Sequence, residues 1–171
     1  MKKMISISYL LLITVSTFGQ SASIKDFYRK YKKTEDTFHI NAPGWLIRLG
    51  GAIARKHIED EGERALVKLL GKKVRKARIL IMEDHNSISK AEFNDFLSDL
   101  RSENFETLVQ YREDGEKINI LGREKGDKIK DLLVLVQEPD SFIMVAMKTK
   151  LKPKDLAQII ELAVEDDRLA F

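Results

Sequence analysis

Apolar residues recur along this chain with two periods, and the change from one to the other divides it into elements. From Ser23 to Lys32, Ile24, Phe27, Tyr28 and Tyr31 fall at i, i+3, i+4 and i+7, which predicts a short amphipathic helix lying on the body of the domain. A polar joint at Lys33–Asp36 and an extended Thr37–Ile40 follow. Asn41-Ala42-Pro43 then reads as a helix start, with an Asn cap and an early Pro. Trp45, Leu46, Leu49 and Ile53 form the apolar face of that helix. Gly50-Gly51 interrupts it at ~1 kcal/mol each relative to Ala, so it either kinks there or packs unusually close to a neighbour. Glu59–Gly71 starts acidic and ends on Leu66, Leu69, Leu70 and a run of bases, as the helix dipole favours. Ile79-Leu80-Ile81-Met82, bounded by charge, reads as a central strand covered on both faces.

The next segment has the clearest local grammar. Ser89-Lys90-Ala91-Glu92 is a capping box, Ile88 and Phe93 are spaced as its hydrophobic staple, and Phe93, Phe96, Leu97 and Leu100 form the buried face. From Thr107 the period becomes two. The turn at Asp114-Gly115 sets Tyr111 opposite Ile118 and Val109 opposite Ile120. Turns at Gly126-Asp127 and Pro139-Asp140 continue a four-stranded meander, and Pro153 opens a last helix with Leu156, Ile159, Ile160 and Ala163 on one face. The order predicts one α+β domain over residues 21–171, in which a C-terminal meander and one earlier strand form an antiparallel sheet packed with helices behind an N-terminal helical segment.

Leu132–Val136 and Phe142–Met147 are apolar at every position, so both faces of these strands need cover. The capped helix and the C-terminal helix are expected on one face. The other is left to the N-terminal helices or to a second molecule. Val134 and Val145 on one side, Leu133 and Met144 on the other, are therefore the candidate binding residues, for a protein partner or for self-association.

Composition changes this picture mainly at the N-terminus. Lys2 and Lys3 precede an uncharged run from Met4 to Phe18 and then Gly19, Gln20, Ser21 and Ala22, the pattern of a cleaved secretory leader over residues 1–20. The run holds five Ser and Thr residues and falls short of the ~20 mostly apolar residues that span a bilayer, so no membrane span is expected in the mature form. Removing the leader takes two lysines and no acid, lowering the net charge from +3 to about +1, which gives no electrostatic reason to expect a nucleic-acid partner. The expected location is periplasmic or secreted. The absence of cysteine excludes a disulfide scaffold, a thiolate zinc site and a lipid-modified cysteine.

For chemistry, Glu83-Asp84-His85 ends the central strand just before the capped helix, where two carboxylates and an imidazole could hold a divalent cation or polarise a water. The plainer expectation is acids answering a helix dipole beside a solvated histidine, with no metal and no cofactor. Asp84, His85 and Ser87 are too close in sequence to align as a nucleophilic triad. The chain contains no G-x-S-x-G, H-E-x-x-H, phosphate loop or dinucleotide fingerprint. The basic run Lys68, Lys72, Lys73, Arg75, Lys76 and Arg78 lacks interleaved aromatics and has acids just upstream. A non-enzymatic interaction module is the leading expectation, and a small metal-dependent or hydrolytic enzyme using the Glu83 loop the alternative.

The second half carries a family pattern: Glu113-Asp114-Gly115-Glu116-Lys117, then Arg123-Glu124-Lys125-Gly126 and Lys128-Ile129-Lys130-Asp131-Leu132-Leu133-Val134-Leu135-Val136. It resembles the domain-of-unknown-function family DUF4252, exported proteins of the Bacteroidetes, with a likeness running over roughly residues 24–162. The resemblance implies an exported or cell-envelope protein and brings no catalytic residues with it. Some relatives are lipoproteins, from which this chain departs by having no cysteine.

Overall fold

Alternating and continuous apolar strands are gathered into one six-stranded antiparallel sheet, seen in a computed structural model that describes residues 21–113 and 115–165. The leader at 1–20 and Asp114 of the first hairpin turn lie outside the described residues, as does the side chain of Ala163. The elements are α1 (Ala22–Tyr31), β1 (Thr37–Pro43), α2 (Gly44–Ala54), α3 (Glu61–Lys73), β2 (Val74–Met82), α4 (Lys90–Ser102), β3 (Glu106–Glu113), β4 (Glu116–Lys125), β5 (Lys128–Gln137), β6 (Phe142–Leu151) and α5 (Pro153–Glu165). Spatial order is β1-β2-β6-β5-β4-β3. The class is α+β, and the meander β3 to β6 is present. The sheet has two strands before the meander rather than one, because Thr37–Pro43 pairs with Lys76–Met82 along its whole length. Asn41 is therefore a strand residue opposite Arg78 and not a helix cap; Pro43 takes the cap position, with extended backbone and no side-chain cap bond.

The main core lies on one face of the sheet, where Leu80, Leu133, Leu135, Phe142, Met144 and Ala146 are fully buried under α1 and α4. Phe27 of α1 stacks on Phe96 of α4 at 4.0 Å, and Phe142 is met by Phe27 at a tilt and by Phe93 edge to face. Each such large apolar side chain contributes ~1.5–3 kcal/mol by leaving water. The capping box at Ser89 and Glu92 is present in full, and Ile88 and Phe93 are both buried. The capped and C-terminal helices do not share a face. Leu156 and Ile159 of α5 pack with Leu132, Met147 and Ile120, whose side chains point away from the main core. The chain crosses the sheet end after β6, and Lys73 ties α3 to Asp155 at the start of α5 at 2.8 Å.

Candidate functional site

The first hairpin pairs Tyr111 with Ile118 and Val109 with Ile120. Continued across the sheet, the register builds two apolar rows on the face opposite the main core. One runs Ile40, Ile79, Val145, Val134, Ile120, Val109; the other runs Phe38, Ile81, Ile143, Val136, Ile118, Tyr111. Apart from Phe38 and Ile40, which are exposed, these side chains are half-buried. α5 covers only the end of this face near Leu132 and Met147. The structure thus separates the four candidate binding residues: Leu133 and Met144 are sealed in the core, whereas Val134 and Val145 are neighbours, directly paired, on the half-buried face.

α2 presents its apolar face outward. Gly44 lies so near β2 that a Cβ there would meet the Arg75 carbonyl at 2.5 Å, and a Cβ on Gly51 would come within 3.3 Å of Val67 in α3. At 100° per residue, Trp45, Leu46, Leu49 and Ile53 project from the opposite side of the helix, and all four are exposed, Trp45 at 61 %. Of the two outcomes expected for Gly50-Gly51, close packing is the one found, through Gly51; Gly50 meets nothing within 4 Å. Sequence reasoning found the stripe and missed its orientation. A signal was available, since residues 37–58 contain no Asp or Glu while holding three Arg and Lys residues.

Glu83, Asp84 and His85 are exposed and line an open hollow of about 550 Å³ with Thr34, Asp36, Thr37 and Phe38. Asp36 and Asp84 both have φ of 57°, a left-handed conformation that Asp tolerates in turns. Ser87 Oγ lies 3.8 Å from the Met82 sulfur. Among the described residues, no three His, Asp or Glu side chains group as a metal ion would require. The basic run is dispersed: Lys73 bonds Asp155, Arg78 lies over the Tyr28 ring, and Arg75 lines a separate groove.

That groove, about 1050 Å³, lies where the β4–β5 and β5–β6 registers shift and re-aim side chains. Arg123 Nε and Nη2 donate to Asp131 Oδ2 at 3.0 and 2.6 Å, and its guanidinium lies 5.1 Å from the Phe105 ring centre. Glu103 Oε1 accepts from the Ser23 backbone N–H and hydroxyl at 2.9 and 2.6 Å. Burial works against the Glu103 charge, yet hydrogen bonds from Ser21 and Ser23, aided by Arg123, hold the carboxyl below its ordinary pKa. On the rim, Arg75 presses the Lys150 pKa down, with burial, Lys130 and Lys128 adding to it.

The half-buried strands and their turns are also what a family model for a domain of unknown function, DUF4252, matches, over residues 31–159. The chain belongs to the DUF4252 family. No curated protein and no solved structure matches it. In this DUF4252 chain the matched span takes in all six strands and α2, α3 and α4, beginning on the last residue of α1 and ending inside α5.

Proposed function

We propose that this DUF4252 protein is exported to the periplasm or beyond the cell and serves there as a non-enzymatic interaction module, binding another protein or a second copy of itself across the sheet face that carries Val134 and Val145. The observation that carries this reading is the contrast between the two sheet faces. Leu133, Leu135, Met144 and Ala146 have no exposure under α1 and α4, while two apolar rows crossing all six strands on the other face keep partial contact with water. Side chains of this kind gain free energy when a partner removes the remaining water. Export is supported by Lys2, Lys3 and the uncharged run that follows. No helix among the described residues is long and apolar enough to cross a membrane.

The test is purification of the tagged protein from the envelope of the cells that make it, with N-terminal sequencing and identification of what accompanies it. The expected product begins at Gln20 or Ser21 and brings down a partner, or forms an oligomer, that is lost from V134K/V145K. An intact Met1 in the inner membrane would refute export. A partner retained by V134K/V145K would refute the assigned face.

A further inference from the structure

We infer that α2 seats this protein on an anionic phospholipid bilayer, with Trp45, Leu46, Leu49 and Ile53 entering the boundary between headgroups and acyl chains. The inference uses a surface other than the Val134 face and stands or falls independently of it. Every exposed large hydrophobic residue among the described residues falls between positions 38 and 53, and four of the six lie on α2. A helix packed on a protein ordinarily turns its apolar stripe inward. This one is held by its glycine side, against Arg75 and Val67, and turns the stripe out.

The charges say what could cover it. Residues 37–58 hold Arg48, Arg55 and Lys56 and no acid; acids resume only at Glu59 and Asp60 beyond the helix, and precede β1 at Glu35 and Asp36. Arg48 and Arg55 line the hollow between α2 and α3 with Lys68 and Lys72, behind the stripe on the Gly51 side, where Arg55 Nε donates to the Gly51 carbonyl at 3.2 Å. Apolar side chains with a tryptophan, flanked by cations whose long stems reach sideways to phosphates, match the interface of a negatively charged bilayer. Pairing α2 with a second copy of itself would instead double the positive charge around one apolar seam, with no acid from either segment to offset it. Eleven residues make a helix of about 16 Å, which lies along such a surface rather than across it.

Trp45 is the only tryptophan in the chain, so its emission reports on this helix directly. With vesicles of equal parts phosphatidylglycerol and phosphatidylcholine at low salt, the emission should shift to the blue and be quenched by brominated acyl chains. Binding should weaken roughly tenfold on phosphatidylcholine alone or at ~0.5 M salt. L49D/I53D should lose at least about tenfold in vesicle binding with an unchanged circular dichroism spectrum, since both side chains already stand in water. Should that variant fail to fold, R48S/K56S serves instead, with weaker binding expected only on the anionic vesicles. The inference is overturned if Trp45 emission ignores vesicles that the protein nevertheless sediments with, or if phosphatidylcholine alone binds as well. It is equally overturned if folded stripe variants bind undiminished, or if the stripe proves to hold a dimer without lipid.

Discussion

Arg123 joins four elements through one guanidinium. It bonds Asp131 across the β4–β5 ladder, approaches Glu103 at the end of α4 at 3.9 Å, and Glu103 in turn accepts from Ser23 in α1. Asp131 is only 4 % exposed, so removing the guanidinium deprives a buried carboxylate of the donor that bonds it at 2.6 and 3.0 Å. R123A is therefore expected to cost about 2–3 kcal/mol in urea unfolding, at or just below the ~3–5 kcal/mol of a fully buried broken pair because Arg123 keeps some contact with solvent. D131N, which leaves behind only the partly solvated Arg123 guanidinium with Glu103 still 3.9 Å away, should cost clearly less. A loss below about 0.5 kcal/mol for R123A would mean that water enters the groove and solvates Asp131. Residues also mark the limit of sequence reading. Ser89 and Glu92 were legible because a capping box is a contact between positions three apart. The Arg123–Asp131 pair sits at a register shift in the β4–β5 hairpin, which no local spacing reveals.

At the level of elements, β5 and β6 announce a sheet needing cover on both faces, and the structure distributes that cover unequally. α4 lies with α1 on one face, and α5 reaches only one end of the other. Replacing Leu133 and Ala146 by lysine puts two charges into a closed core and is expected to abolish the cooperative thermal transition. V134K/V145K should remain folded at a cost of about 1–2 kcal/mol, since each lysine stem can lie along the half-buried face with its ammonium in water, the two charges repelling across the ladder. Equal loss of folding in both variants would mean that both faces are sealed. The α2 stripe carries the same lesson for helices. Its periodicity identified Trp45, Leu46, Leu49 and Ile53 as one face, but direction depends on which side can approach β2 and α3 most closely, and Gly44 and Gly51 decide that.

Across the whole molecule, three carboxylates hold the helices to one another. Glu92 accepts from Lys30, joining α1 to α4, and this bond together with Ser89 lowers its pKa to about 2. Glu103 meets Ser23 at the second α1–α4 contact and Asp155 meets Lys73 at the α3–α5 joint; both carboxyls titrate below their usual values, Asp155 chiefly through the Lys73 bond. A carboxyl with a lower pKa folded than unfolded contributes stability above its unfolded value and loses it as the pH falls through the folded one. Thermal melts should accordingly show the melting temperature dropping as the pH is lowered from about 4.5, the ordinary glutamate value, toward about 2. E92Q should melt lower than the parent at pH 7 and converge with it near pH 2. A parent whose melting temperature is unchanged over that interval would contradict the tethering role of these groups.

The sequence alone determined everything that neighbouring residues settle between themselves: the helix at Lys90–Ser102 with its cap, the pairing of Tyr111 with Ile118, the turn at Gly126, the helix opened by Pro153, and membership of an α+β class. These follow from backbone geometry and side-chain period, both of which act within a few positions. The tertiary structure alone decided that Thr37–Pro43 joins the sheet as its edge, that α4 and α5 take opposite faces, and that the α2 stripe points into solvent. Each of these depends on contacts between segments distant in the chain. A residue's period states which side chains share a face; only the packed molecule states what that face meets.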